Sequence, residues 1–487
     1  MLRKIRIALA AVFFTLTTLL FLDFTGTIHA YMGWLAKIQL LPAILAGNVV
    51  VVVALLLITL LLGRTYCSVI CPMGVMQDIF SFFGGKVWKN RFHYTKNRPW
   101  LRWSILVIFV ALMILGLNAI AILIAPYSAF GRIATNILQP VYIWINNIFA
   151  YLAERADSYA FYHVDVWVKA GASLIVAAVT LVGIGLLAFR YGRSWCNNIC
   201  PVGTLLGFVS KYSIFGIQID ENKCVKCHKC ERNCKASCID VKNHTVDHSR
   251  CVACMNCIDQ CRQGGISYGL RKRGQKAAAD TVDTSRRKML ATTAAVGTAM
   301  AVKAQEVKMD GGLAVIEDRQ APDRKTAIKP AGSRCHANFN KHCTACQLCV
   351  SECPSRILKP STSLQTLMQP EIDFENGYCR IDCNRCSQVC PTGAIQKIDI
   401  EDKTNIRIGH AVWISQNCLL SEGEACGLCQ RNCPTEAILM VDDLSTGHKS
   451  ISVNESKCIG CGKCEHLCPS RPLGAIYVEG HENHICS

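Results

Sequence analysis

Six times in 487 residues, four cysteines recur within one short stretch, most often as Cys-x2-Cys-x2-Cys-x3-Cys. No other feature limits the fold as much. Three thiols on one loop cap a face of a 4Fe-4S cubane, and the fourth, at the next turn, reaches a neighbouring cluster. A chain carrying several such sets is expected to build short loops and hairpins around its cofactors. The other reading of 31 cysteines, a disulfide scaffold, belongs to short secreted chains and does not repeat one fixed spacing.

Two sets lie in the middle of the chain. The exchange rule for the fourth cysteine assigns Cys224, Cys227, Cys230 and Cys261 to one cluster, and Cys251, Cys254, Cys257 and Cys234 to its partner. Neither fourth cysteine is followed by proline; Lys235 and Arg262 stand there, so the backbone is less constrained. Cys238 is read as a buried free thiol. Cys224-Val-Lys-Cys227-His228 spells a haem-attachment sequence, but the same cysteines complete the ferredoxin spacing. Zinc is disfavoured because its sites need four ligands, usually as two separated pairs.

Four more sets follow: Cys343, Cys346, Cys349, Cys353; Cys379, Cys383, Cys386, Cys390; Cys418, Cys426, Cys429, Cys433; and Cys458, Cys461, Cys464, Cys468. Each ends in Cys-Pro, at Pro354, Pro391, Pro434 and Pro469, where proline suits the first position of a short helix. Spacing leaves the exchange open: first with second and third with fourth, or nested. Cys335 and Cys486 are treated as non-ligands. Stretches such as Ile451 to Val453 suggest hairpin strands between motifs. Six 4Fe-4S clusters in all are expected. At about −2 each they cancel roughly twelve charges of the formal +17, which removes the case for a nucleic-acid partner.

The first half is of another kind. Residues 5–22, 43–62, 103–125 and 171–189 are apolar runs close to the roughly 20 residues that cross a bilayer. Arg3, Lys4 and Arg6, with the basic loop from Gly63 to Arg102, put both ends of this four-helix unit on the cytoplasmic side. Gly63-Arg-Thr-Tyr-Cys-Ser-Val-Ile-Cys-Pro-Met-Gly74 is repeated as Gly192-Arg-Ser-Trp-Cys-Asn-Asn-Ile-Cys-Pro-Val-Gly203. Cys67 and Cys71, like Cys196 and Cys200, are one helical turn apart, so four thiols can converge between the halves. They read either as redox thiols or a metal relay, or as tight helix entries.

At Thr284-Ser-Arg286-Arg287-Lys-Met-Leu290 a twin-arginine pair precedes a mild apolar stretch ending at Ala304, which resembles an internal export signal for folded, cluster-loaded cargo. The expected organisation is a multi-domain chain. It has a four-helix transmembrane unit (1–210), a cytoplasmic two-cluster ferredoxin-like α+β module (211–275), a linker (276–334) and a periplasmic four-cluster ferredoxin-like module (335–487).

With these motifs in view, the first part resembles NapH-type membrane quinol dehydrogenase components, and the part from Arg286 onward is similar to NapG- and MauM-type exported ferredoxins. The whole reads as a fusion of the two, related to the NosR and CcoG membrane proteins. The resemblance implies electron transfer at the bacterial inner membrane, from menaquinol or ubiquinol to an unidentified periplasmic reductase or cytochrome. Alternatives are a conduit from a cytoplasmic ferredoxin to the periplasm, or a maturation or reactivation factor for a periplasmic metalloenzyme. No catalytic residue is visible. His29 and Gln39 are weighed as proton carriers against solvated loop residues, and the aromatic stretch Tyr142 to Tyr151 as a quinone floor against an interfacial belt.

Overall fold

The computed structural model describes residues 1–88, 91–271, 321–421, 423–442 and 449–486. The twin-arginine segment lies outside them.

Two helices, Leu2–Leu22 and Gly171–Tyr191, are long and apolar enough to cross a membrane, each about 30 Å by the 1.5 Å rise per residue. The other two apolar runs are interrupted. The run 43–62 is divided at Gly47, whose φ of +66° turns the chain, and Asn48 then caps Val49–Leu62 by accepting from Val51 N at 3.2 Å. The run 103–125 stops at Ile114; Gly116 at φ +77° breaks it, and Asn118–Ile124 begins a new helix. That helix and the following Pro126–Arg155 unit form one span only if the 79° bend at Ala125 lies within it. In place of the four expected spans there are, among the described residues, two helices long enough to cross, a bent pair and three shorter apolar helices, Val49–Leu62, Pro99–Ile114 and Pro201–Ser210. Val50, Ile114, Val179 and Leu186 are strongly exposed on them, an apolar exterior of the kind lipid covers.

The repeat is also a structural one. Val49–Leu62 leads through Thr65–Val69 into Pro72–Val87, as Gly171–Tyr191 leads through Ser194–Asn198 into Pro201–Ser210. The halves pack crosswise, Gly171–Tyr191 on Pro72–Val87 and Pro201–Ser210 on Val49–Leu62. The stretch between the first two apolar runs, expected as an outer loop, instead turns back among the helices as Thr27–Met32, Trp34–Lys37 and Leu40–Leu45, the last taking in the start of the second run.

The two-cluster module is closed by Phe215–Ile219, antiparallel to Ile266–Leu270, with a small hairpin of Ile239–Asp240 and Thr245–Val246. In the four-cluster module the hairpins are Leu358–Pro360 with Pro370–Ile372 and Ile438–Asp442 with Lys449–Val453, so the strand expected at Ile451 to Val453 is present. Ile406–Trp413 pairs with the long final strand Ile476–Cys486. The segment from 321, read from sequence as linker, straps this module: Arg324 donates to Val478 O at 2.8 Å and to Glu465 at 2.7 Å.

The modules sit at opposite ends of the long helices. Ser173, in the first turn of Gly171–Tyr191, bonds Gln347 of the four-cluster module, whereas Arg193, just past its end, bonds Lys235 O of the two-cluster module at 2.9 Å.

Candidate iron–sulfur sites and the membrane cysteines

The four motifs of regular spacing share one backbone device. Two residues take left-handed φ, one before and one after the second cysteine: Lys226 and His228, Ala253 and Met255, Ala345 and Gln347, Gly460 and Gly462. Such a loop curls around a centre and points its amides inward. A third left-handed residue stands three past the fourth cysteine in five of the six motifs, at Ser237, Gly264, Arg356, Gly393 and Glu436. The turn brings later amides onto the sulfur: Ile395 N donates to Cys390 Sγ at 3.4 Å and Ala437 N to Cys433 Sγ at 3.3 Å; in the sixth motif, without that turn, Ala475 N donates to Cys468 Sγ at 3.4 Å.

Neighbouring thiols show how the motifs pair. Cys343, Cys346 and Cys349 face Cys390, while Cys353 stands with Cys379, Cys383 and Cys386. Cys429 faces Cys418, Cys426 and Cys468, and Cys433 lies by Cys458 and Cys461. Fourth cysteines thus cross over between first and second and between third and fourth motifs, which is one of the two arrangements left open by spacing. Cys379 N donates to Cys461 O at 2.9 Å and joins the two pairs. Burial pushes Cys346, Cys353 and Cys429 up to about 11, so a bound cation is what makes thiolates here.

In the two-cluster module a small cavity is lined by Cys234, Cys251, Cys254 and Cys257, the four thiols grouped by the exchange rule. Cys238 is buried on the same wall, 3.5 Å from Cys234 Sγ; the bond between them lowers Cys234 to about 7 and raises Cys238. His228, the residue that spelled a haem site, is held by Glu231 at 2.7 Å. Lys235, in the place of the expected proline, reaches Asp78 at 3.3 Å, so that position docks the module. Cys335 caps the helix His336–His342 by accepting from Asn338 N.

Cys67, Cys71, Cys196 and Cys200 are all buried within the helical half, next to the two-cluster module. Cys71 lies within electrostatic range of Cys67 and Cys196, and Cys200 of all three others, so the two repeats do bring their thiols together.

Gln39 and His29 are buried and not solvated. Tyr66 Oη donates to Gln39 Oε1 at 2.9 Å beside Cys67, a re-entrant placement that hydropathy does not reveal. Tyr142, Trp144 and Tyr151 are exposed, and of the stretch Tyr142 to Tyr151 it is Ile143 that lines the cavity described next.

At the opposite end, a cavity of about 240 Å³ opens between the helix Gln139–Arg155, residues 162–169 and the Cys353 loop. Its apolar walls are Phe24, Pro140, Ile143, Tyr162 and Trp167; Lys169, Glu352 and Arg356 supply polar groups. Among the described residues neither oxygen of the buried Glu352 carboxyl has a hydrogen-bond partner, and burial, then Asp23, pushes it up to about 8. Spacing gave no signal for this site, because Glu352 precedes Cys353 as an ordinary filler residue.

Comparison with known proteins agrees with this geometry. Residues 45–91 and 171–217 match a family described as a 4Fe-4S binding domain, and 342–408 and 424–471 match two 4Fe-4S dicluster domain families. The ferredoxin-type protein NapG of Escherichia coli is 33% identical over 180 residues, 33% of this chain and 77% of NapG. The methylamine utilization ferredoxin-type protein MauM of Methylobacillus flagellatus is 34% identical over 166 residues, 32% of this chain and 70% of MauM. The putative electron transport protein YccM of E. coli is 26% identical over 194 residues, 40% of this chain and 47% of YccM. No solved structure matches. Several 4Fe-4S domains and this relationship place the chain in the family of ferredoxin-type iron–sulfur electron-transfer proteins to which NapG and MauM belong.

Proposed function

We propose that the chain oxidises quinol at the membrane and passes the electrons toward a reductase or cytochrome, with the two-cluster module in the cytoplasm and the four-cluster module in the periplasm. The NapH-like arrangement of its first half, and the kinship to NosR and CcoG suggested by sequence, belong to the same reading. The six ligand sets are those grouped above, each holding one 4Fe-4S cluster.

The observation that carries the reading is the cavity beside Cys353. Its lining is about evenly polar and apolar, with Lys169, Glu352 and Arg356 converging on it from an apolar wall of Phe24, Pro140, Ile143 and Trp167. Lys169 and Arg356 can donate to a quinone oxygen from its walls. Glu352, unpartnered, is placed to take a hydroxyl proton, and His163 and Asp165 on the same wall, exposed and 3.9 Å apart, lead it to water. Quinol would thus lose two protons in turn to this wall and two electrons one at a time, the first passed on to the neighbouring clusters before the second leaves. When bound, the cluster on Cys353 supplies one-electron acceptance.

The test uses protein purified anaerobically, reduced with dithionite and placed in lipid. Menaquinone is expected to reoxidise it in a saturable reaction, followed by loss of the reduced-cluster EPR signal. Glu352→Gln should slow this at least tenfold while leaving reoxidation by soluble acceptors unchanged. Equal rates in the variant would remove the cavity from the reading.

A second reading, entry of electrons from a cytoplasmic ferredoxin, is favoured by the docking of Lys235, next to Cys234, against the Asp78–Arg193 pair beneath Cys67.

A further inference from the structure

We propose that Cys67, Cys71, Cys196 and Cys200 are together the ligands of one further iron–sulfur cluster, buried in the helical half and held by two thiolates from each repeat. This is independent of where quinol binds.

A packing role for the Cys-Pro-x-Gly turns asks only for small side chains. The structure supplies far more. Cys71 and Cys200 are the N-caps of Pro72–Val87 and Pro201–Ser210, and Gly203 N donates to Cys200 Sγ at 3.3 Å. A sulfur in that position faces the positive end of a helix, where a negatively charged group is best placed. Gln77 Nε2 donates to Cys196 Sγ at 3.1 Å, and Arg64 Nη2 lies 3.8 Å from Cys67 Sγ.

The arginines cross between the repeats. Arg193 of the second donates to Cys67 O at 2.7 Å, and Arg64 of the first to Cys196 O at 3.4 Å. The glycines are required by the same geometry: a Cβ on Gly74 would stand 2.2 Å from Cys67 O, and one on Gly203 2.1 Å from Cys196 O. Each turn is thereby pinned by the other half, and the thiol positions are set by the pair and by neither repeat alone. Both guanidinium groups are fully buried. These two buried cations, Arg193 shared with Asp78, face the four thiols and favour a negatively charged group between them.

A single ion fits less well. Among the described residues no three His, Cys, Asp or Glu side chains are gathered for one ion, here or in the ferredoxin motifs. A cluster holds its thiolates further apart than a tetrahedral ion does. The two stretches matching a 4Fe-4S binding domain, 45–91 and 171–217, contain only these four cysteines. The site also stands between the modules. Asp78 and Lys235 are within electrostatic range of Cys254, Tyr66 of Cys71, and Tyr127 of Tyr66, Cys346 and Cys390.

The test is iron and acid-labile sulfide per full-length chain, with Mössbauer and EPR spectra, for the native protein and for Cys71→Ser with Cys200→Ser. The double variant should lose about two irons, for a 2Fe-2S cluster, or about four, for a 4Fe-4S cluster, with the other signals retained. Unchanged iron, or disulfides linking these cysteines in the native protein, would overturn the assignment. Should the double variant not accumulate, Gln77→Leu removes only the 3.1 Å bond to Cys196 Sγ. It should leave iron content unaltered and lower the midpoint potential of a single cluster, and no change in any potential would count against the site.

Discussion

The two cluster modules are fixed to the helices by opposite chemistry. At the two-cluster end the contact is ionic. Asp78 receives Arg6 at 2.9 Å, Arg193 at 2.8 Å and Lys235 at 3.3 Å, all largely buried, while Arg64 and Arg102 both reach Ser249 O. At the four-cluster end the buried contacts are mostly neutral. Asn118 donates to Asn340 O and Lys341 O, Asn136 to Gln347 Oε1 at 2.7 Å, and Gln139 to Ser351 O. Backbone there comes so close that a Cβ on Gly131 would stand 2.3 Å from Cys346 O. One joint depends on charge balance and the other on shape, so they should fail differently.

The largest effect is expected at the ionic joint. Asp78→Asn leaves three buried cations facing a neutral amide, and uncompensated buried charge costs about 3–5 kcal/mol. Hydrogen exchange should rise across residues 234–254 and not across 340–352. Equal loosening at both ends would break the distinction. Gly131→Val tests the other joint, with an overpacking cost of about 1–3 kcal/mol. Exchange should then rise at 340–352 alone, with little dependence on salt.

These joints show where sequence reading ends. The ligand spacing was legible because a cubane dictates it locally, and the grouping of Cys234 with Cys251, Cys254 and Cys257 around one cavity follows from it. The repeat around Cys67 and Cys196 was legible as text, and its meeting in space follows from crosswise packing that no local pattern encodes. Hydropathy overstated the helices because it averages composition: Gly47-Asn48 and Gly116-Leu-Asn118 are turn signals inside apolar runs, and they decided where the chain bends. The basic residues at these helix ends, read as marking the membrane side, also dock a module: Arg3 pairs with Asp259 and Arg102 with Ser249. Lys235 looked like a missing proline because its partner, Asp78, is far away in sequence.

The same contrast extends to the loops that curl around the clusters, where it predicts the smallest effect. In the two-cluster module the left-handed positions are filled by Lys226, His228, Ala253 and Met255, and in the last motif of the four-cluster module by Gly460 and Gly462. Conformation alone does not explain the difference, since φ is similar in all of them. The glycines are needed for space: a Cβ on Gly460 would meet Gly409 N at 2.7 Å, and one on Gly462 the Phe374 ring at 2.2 Å. Lys226 is exposed, so its side chain only adds strain of about 1 kcal/mol to the turn. Lys226→Gly should therefore raise resistance to thermal cluster loss by up to ~1 kcal/mol, read from visible absorbance, whereas Gly462→Ala should lower it. If both changes are destabilising by similar amounts, the left-handed residues are held by contacts at either end of the molecule, and the loops of the two modules are built alike.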